Sequence, residues 1–273
     1  MTVTGRARAR LGALLGAAAL FGVSPARAGG LEFRPIAGDG LGYLALPRQG
    51  TLYHLVRVDL ARHPIRVVDA RREGRRAATV DQLGREAEAL VAVNGTFFDE
   101  NYRPLGLVAS GGRELNPLRI VSWWAALVVR ERGARSAEIL TTAQLEALPA
   151  EDRAGFAAAV QSGPRTVAGG QPLKLKEQTA ARTAVCILDP THLLLIATDG
   201  SAVESNEFAA FMAAAPSQGG LDCDAGLMFD GGPSTQLWIH APDFELNLRG
   251  GWGVPNALVV LPAAGGEKPP RSE

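Results

Sequence analysis

Four short apolar runs that each end in a glycine-containing polar turn limit the folds open to this chain. They are "VNGTFFDENYRPLG" (residues 93–106), "VQSGPRTVAGG" (160–170), "ATDG" (197–200) and "FDGGPSTQ" (229–236). Apolar runs that pass directly into Asn-Gly, Ser-Gly or Asp-Gly predict strands closed by tight turns. A fold made mainly of long helices is therefore excluded.

The rest of the chain adds further strands and a few helices. "LYHLVRVDL" (52–60) alternates apolar and polar residues, and "IRVVDA" (65–70) follows so closely that an antiparallel pair of strands is predicted. "TVDQLGREAEAL" has helical spacing with a capping box of Thr79 and Gln82. "TTAQLEALP", "EDRAGFAAAV" and "NEFAAFMAAA", the last capped by Ser205, also predict helices. The predicted fold is α+β: one domain over residues 29–265, with a mixed, mainly antiparallel sheet flanked by helices.

The first 28 residues predict a cleaved signal peptide. A basic "RARAR" precedes an apolar "LGALLGAAALFGV", and the segment ends in Ala-Arg-Ala, the small-x-small pattern of a cleavage site. We therefore expect an exported protein, periplasmic or extracellular, with no membrane attachment after cleavage. Residues 266–273 are polar and proline-containing, which predicts a disordered tail.

The net charge restricts the possible classes of function, and the cysteine content predicts a disulfide. Residues 1–28 hold four arginines and no acidic residues, so their removal leaves 24 basic against 28 acidic residues and a net charge of −4. This balance argues against nucleic-acid binding, which needs a basic face. Cys186 and Cys223 predict a disulfide in an exported chain, although two separate buried thiols are the alternative.

Polar residues at the predicted strand ends are the candidates for chemistry. Asp230 lies beside Gly231 and Gly232, and Asp199 ends a second run in the same way; glycoside chemistry normally uses two such carboxylates. The alternative for each is a turn residue that bonds its own backbone. The remaining candidates are amides for sugar hydroxyls and guanidinium groups for phosphate, namely Asn94, Gln161, Arg182 and Arg165.

The histidines lack zinc-site spacing. No cofactor is predicted, although Asp99, Asp199 and Asp230 are of the ligand type that suits calcium or magnesium. The chain has four tryptophans, and each is predicted to lie either in the core or in a pocket wall. They are Trp123, Trp124, Trp238 and Trp252, of which Trp252 has the most loop-like setting.

Taken together and in order, these stretches resemble the phosphodiester glycosidase family over roughly residues 80–262. The matching blocks are Asn94-Gly95-Thr96-Phe97-Phe98, Gln161-Ser162-Gly163-Pro164, Arg182-Thr183-Ala184, Asp199-Gly200, Asp230-Gly231-Gly232-Pro233-Ser234-Thr235 and Val254-Pro255-Asn256. Four positions depart from the family pattern. Thr96 and Pro233 stand where the family has glycine, Ser201 replaces an arginine, and Trp252-Gly253 replaces Arg-Pro.

The resemblance implies a hydrolase that cleaves a sugar-1-phosphate linkage in a carbohydrate phosphodiester, such as an exopolysaccharide or cell-wall polymer. It implies Asp230 and Asp199 as catalytic residues, and Asn94, Gln161, Arg182, Arg165, Gly231, Gly232, Ser234 and Asn256 as substrate-binding residues. Two alternatives stay open: a non-catalytic sugar- or polymer-binding protein on the same scaffold, and a metal-assisted phosphodiesterase that cuts the P–O bond.

Overall fold

The computed structural model describes residues 1–2, 30–153, 155–200 and 203–265. Apart from residues 1 and 2, the predicted signal peptide lies outside these ranges, as do the predicted tail and Ser201. None of the helices in the described ranges has the length and apolarity that a membrane crossing requires.

The described chain contains twenty strands, four α-helices and three short 3-10 helices. The strands are β1 (Arg34–Pro35), β2 (Leu41–Arg48), β3 (Thr51–Asp59), β4 (Ile65–Asp69), β5 (Val91–Asn94), β6 (Val108–Ser110), β7 (Arg113–Asn116), β8 (Ala125–Arg130), β9 (Ser136–Thr141), β10 (Phe156–Ser162), β11 (Arg165–Ala168), β12 (Gln171–Pro172), β13 (Thr179–Ala180), β14 (Thr183–Asp189), β15 (His192–Asp199), β16 (Val203–Glu204), β17 (Ala225–Met228), β18 (Leu237–Ala241), β19 (Phe244–Leu248) and β20 (Asn256–Val260). The helices are α1 (Val80–Glu86), α2 (Thr142–Ala147), α3 (Ala150–Arg153) and α4 (Ser205–Ala213).

The strands form three large sheets and one two-stranded ribbon. The largest sheet has the order β1-β2-β3-β15-β14-β17-β11-β12, and the two five-stranded sheets have the orders β7-β6-β10-β8-β9 and β19-β18-β5-β20-β4. The ribbon pairs β13 with β16, and the strand pairings across all four are antiparallel. The architecture is therefore mainly β. The prediction of antiparallel pairing is confirmed, but the helices are too few for the predicted α+β class.

One apolar core joins the three sheets, and helices cover their outer faces. Val56, Val93 and Val160, each from a different sheet, belong to the same buried cluster. On the outer side of the largest sheet, Phe208 and Phe211 of α4 pack with strand residues in a second cluster. Helix α1 covers one five-stranded sheet and α2 covers the other.

Two predictions of secondary structure are wrong, for physical reasons. Strands β3 and β4 do not pair with each other, because the link between them carries the chain from the largest sheet to a five-stranded one. The predicted helix over 151–160 ends at Arg153, and "FAAAVQS" forms the fully buried strand β10 in the middle of its sheet. An alanine run buried on both faces favours helix by propensity, but tertiary pairing overrides this preference.

Of the two predicted helix caps, one is correct. The capping box of Thr79 and Gln82 at the start of α1 is confirmed. The cap of α4 is Glu204 rather than Ser205: its carboxylate accepts from the backbone N–H groups of Asn206 and Glu207, and these bonds with that of the Ser205 hydroxyl lower its pKa to about 2.

Candidate active site

A cavity of about 450 Å³ opens where β17 ends, and Asp230 lies in its wall. Its described lining residues come from six separate segments of the chain. They are Phe97, Trp123, Gly163, Pro164, Gln178, Ala180, Arg182, Met228, Phe229, Asp230, Gly231, Gly232, Pro233 and Trp252. Among these, Asp230 is the one carboxylate and Arg182 the one cation.

Asp230 is a partly buried acid whose proton affinity is altered by its surroundings. Burial raises its pKa to about 6, although hydrogen bonds from the Ser234 hydroxyl and the Gly231 backbone act in the opposite direction. A carboxyl group with a pKa near neutrality can both give and take a proton under physiological conditions. Such perturbed carboxyl groups in clefts are candidates for catalysis.

Arg182 is the second charged group of the cavity, and it is 6% exposed. Its Nε donates to the carbonyl oxygen of Val203 at 3.1 Å, one Nη donates to the carbonyl of Gln178, and the other Nη lies 3.9 Å from the sulfur of Met228. Burial lowers its pKa, which the charge of Glu204 partly opposes. No salt bridge to Arg182 occurs within the described residues, so its remaining N–H donors are available to an anion in the cavity.

Aromatic side chains form the outer wall of the cavity. Trp123 and Trp252 are among the most exposed large hydrophobic residues in the described chain, at 56% and 48%. Phe97 lies deeper, with its ring 5.5 Å from that of Trp124, which in turn meets Trp123 edge to face. Exposed aromatic rings beside a polar floor provide stacking surfaces for a sugar ring, as well as apolar area. The sequence predicted Trp123 and Trp252 as residues of either the core or a pocket wall, and the structure places both in the wall.

Asp199, predicted as the partner of Asp230, does not line the cavity. Strand alternation explains this: Ala197 belongs to the central core, so Asp199 two residues later projects to the same side. Thr198 projects to the other side, where its hydroxyl accepts from the backbone N–H of Arg182 at 2.8 Å. The structure thus places Asp199 on the opposite face of the sheet from Arg182, exposed to solvent.

Asn94, predicted to bind sugar hydroxyls, is instead a fully buried brace behind Asp230. Its Nδ2 donates to the backbone carbonyl of Asp230 at 2.7 Å. Its Oδ1 accepts from the Thr183 hydroxyl at 2.7 Å and from the Gln236 backbone N–H at 3.1 Å. Asn94 therefore joins β5, β14 and the turn that carries Asp230, and it acts by positioning.

Gln161 and Asn256 are also internal. Gln161 is fully buried, and its Oε1 accepts from the backbone N–H groups of Leu107 and Arg119 while its Nε2 donates to the Arg119 carbonyl. Asn256 holds Thr96 through two bonds of 3.1 Å, one to its backbone and one to its hydroxyl. A Cβ on Gly95 would lie 2.0 Å from the Oδ1 of Asn256, which explains the glycine.

The two glycines after Asp230 shape its turn. The backbone N–H of Gly231 lowers the pKa of Asp230, and the Gly232 N–H donates to the carbonyl of Ala181 at 2.8 Å. The N–H of Gly232 is therefore already occupied, although Gly231 and Gly232 were predicted to bind substrate. Gly232 has a φ of 57°, and a Cβ on Gly231 would lie 2.7 Å from the Ala181 oxygen.

The remaining predicted residues divide. Ser234 is fully buried next to the cavity, and its hydroxyl lowers the pKa of Asp230. Arg165 on β11 does not line the cavity, and its Nε has no partner in the described structure. The described residues contain no group of three or more His, Cys, Asp or Glu side chains that could hold a metal ion. Asp99, Asp199 and Asp230 therefore do not form one.

Cys186 and Cys223 are joined in a disulfide, with their Cα atoms 5.4 Å apart. The bond links β14 to the segment that precedes β17. The alternative of two separate buried thiols is thus wrong.

Comparison with known proteins identifies solved structures with a similar fold and the family to which the chain belongs. No curated protein matches the sequence. The catalytic domain of zebrafish N-acetylglucosamine-1-phosphodiester alpha-N-acetylglucosaminidase, auto-inhibited by its pro-peptide, matches with a TM-score of 0.61 and 16% identity over 83% of this chain and 84% of that one. A hypothetical protein from Synechocystis matches with a TM-score of 0.54 and 17% identity over 81% of this chain and 62% of that one. At these identities the likeness describes the fold.

Sequence comparison is more specific, because the family profile described as phosphodiester glycosidase matches residues 87–261. That interval contains Asp230, Arg182 and Asn94 together with every other residue discussed above as lining the cavity. The chain belongs to the phosphodiester glycosidase family.

Proposed function

We propose that this protein hydrolyses a glycosyl phosphodiester by breaking the bond between the anomeric carbon and the phosphate oxygen. The observation that carries the proposal is the pairing, in one cavity, of a carboxyl group with a pKa of about 6 and a buried arginine that forms no salt bridge with any carboxylate of the described residues. The substrate has a matching pair of parts: an electrophilic sugar carbon and an anionic phosphate.

One carboxylate is sufficient for this reaction, because the leaving phosphate does not need a second carboxyl group to protonate it. Asp230 in its ionised form either takes a proton from the water that attacks the anomeric carbon, or attacks that carbon itself to form a glycosyl ester that water then hydrolyses. The electron pair of the C–O bond leaves with the phosphate, which is a good leaving group and needs little help from a general acid. Arg182 stabilises the charge that grows on the leaving phosphate.

Isotope labelling tests this proposal directly. The protein is incubated in oxygen-18 water with a panel of sugar-1-phosphodiesters, including N-acetylglucosamine-1-phosphodiesters, with and without a chelator. Label in the free sugar supports cleavage of the C–O bond. Label in the phosphate together with loss of activity on chelation supports a metal-assisted phosphodiesterase, and saturable binding without turnover supports a binding protein; either result overturns the proposal.

An Asp230→Asn variant provides the matched control, since the amide has nearly the same shape and keeps an acceptor for Ser234. We expect turnover to fall by at least a thousand-fold, because the lost group supplies the electron pair. Retained turnover would remove Asp230 from the mechanism.

We further propose that the protein is exported and acts on an exopolysaccharide or cell-wall polymer. The basic and apolar N-terminal segment supports export, and so does the disulfide, because such bonds persist in oxidising compartments. N-terminal sequencing of the protein recovered from its native compartment tests this, and a mature chain starting at Gly29 is expected.

A further inference from the structure

Trp252 occupies an unusual position for an exposed aromatic residue, because its ring faces the cavity while its loop is held firmly. The side chain of Gln236 donates to its backbone carbonyl at 3.0 Å, and the N–H of the preceding Gly251 donates to the Pro233 carbonyl at 2.7 Å. A Cβ on Gly250 would lie 2.4 Å from that same Pro233 oxygen. The loop thus packs directly on the turn that carries Asp230.

Ser234 lies between the Trp252 ring and Asp230 and interacts with both. The indole Nε1 donates to the Oγ of Ser234 at 2.9 Å, and the Ser234 hydroxyl in turn acts on the Asp230 carboxyl group, whose pKa it lowers. An indole N–H can only donate, so Ser234 must use a lone pair to accept it. Its single hydrogen is then directed to the carboxylate, and the direction of both interactions follows.

We propose that Trp252 is a positioning residue for Asp230, coupled to the charge of the carboxylate through Ser234. Donation from the indole polarises the serine hydroxyl and holds it in one rotamer, which strengthens the bond that the ionised carboxylate accepts. The inference deepens the proposed function, but the coupling itself does not depend on any turnover.

Among the described residues that line the cavity, Asp230 is the group whose titration the Trp252 indole can sense near neutral pH. Arg182 is the other charged residue among the described lining residues, and it stays charged over the pH range in which Asp230 titrates. The strand β17, the turn 231–235 and the loop 250–253 contribute no other titratable group to the cavity wall. Glu204 and Tyr53, which do not line the cavity, interact electrostatically with Arg182.

Nitrogen-15 NMR of the indole groups tests the coupling without substrate. The chain has four tryptophans, and Trp252→Phe identifies the Trp252 signal by its disappearance. We expect the Nε1–H signal of Trp252 to shift with pH around a midpoint near 6, and this shift to be absent in Asp230→Asn. A signal that does not move, or that moves equally in Asp230→Asn, would overturn the proposal whether or not the protein is a hydrolase.

Activity supplies the second readout. Loss of the indole donor in Trp252→Phe should raise the pH midpoint of turnover by roughly half a pH unit and lower kcat more than it raises KM, because the aromatic wall is kept. Ser234→Ala removes the bond to the carboxylate itself and should raise the midpoint by about one pH unit.

Trp123→Phe is the matched control, since Trp123 lines the same cavity and its indole has no hydrogen bond to Ser234. It should leave the midpoint where it is in the wild type. An equal displacement in Trp123→Phe and Trp252→Phe would show that the wall acts through its area and not through Ser234.

Discussion

Replacing Asp230 with asparagine should make the folded protein more stable at neutral pH, and the gain can be worked out from the site. The ordinary pKa of an aspartate is 3.8, and burial in the cavity raises that of Asp230 to about 6. A difference of roughly two pH units corresponds to about 3 kcal/mol, which is the cost of holding the charged carboxylate in the folded state above pH 6. Asparagine keeps the acceptor and carries no charge, so it avoids this cost.

The pH dependence distinguishes this effect from an ordinary change of contacts. Because the pKa of Asp230 is higher in the folded than in the unfolded chain, the folded state binds more protons between these two values. The free energy of unfolding must therefore fall as the pH rises through this window. Between about pH 4 and about pH 7 the wild type should lose roughly 2 kcal/mol that Asp230→Asn keeps.

Urea unfolding of the two proteins under non-reducing conditions, at several pH values, measures this difference. Asp243→Asn serves as a control, because Asp243 is an exposed residue in the turn between β18 and β19 and reports what the loss of a surface carboxylate does. Parallel stability curves for wild type and Asp230→Asn across the window would show that burial does not raise the pKa of Asp230. Asp230 would then lack the pKa near neutrality that suits it to catalysis.

Three further predictions concern the scaffold and the phosphate site. Arg182→Met removes the buried guanidinium and should weaken binding of a phosphodiester about ten- to hundred-fold by calorimetry, and unchanged affinity would place the phosphate elsewhere. Gly95→Ala places a Cβ 2.0 Å from the Oδ1 of Asn256 and should lower the free energy of unfolding by about 2–4 kcal/mol; a change below about 0.5 kcal/mol would contradict the close approach. Replacing Cys186 and Cys223 together by alanine opens a link between residues 37 apart and should cost about 4 kcal/mol by loop entropy, and thermal stability equal to that of the wild type would contradict it.

Local sequence signals predicted the parts of the structure that depend on neighbouring residues. The Thr79–Gln82 capping box depends on positions three apart, and the strand that ends before Asp230 depends on a short apolar run. Asp230 and Arg182 were both predicted, and the structure places them in the wall of one cavity. Arg182 reaches the cavity because it directly precedes β14, which pairs with β17, the strand that ends before Asp230.

The failures arise where a residue's role depends on distant partners. Asp199 and Thr198 are neighbours in sequence, and only the register of β15 decides which of them faces Arg182. Asn94 and Gln161 have side chains that suit a sugar, but burial turns them inward to satisfy backbone groups that would otherwise lack partners. No local pattern distinguishes an amide that binds a ligand from one that closes a loop.

The separation of the two charges in the cavity is the feature that makes a ligand of two parts fit. Asp230 and Arg182 form no salt bridge, although both line the same space. A direct pair would lower the pKa of Asp230 and consume the donors of Arg182, so neither group would be available. Left apart, each is less stable than it would be in water, and a phosphate held by Arg182 would relieve one of these penalties on binding. The binding energy of the phosphate can then hold the anomeric carbon of the sugar next to Asp230. The carboxyl group of Asp230 has a pKa near neutrality because the fold buries it.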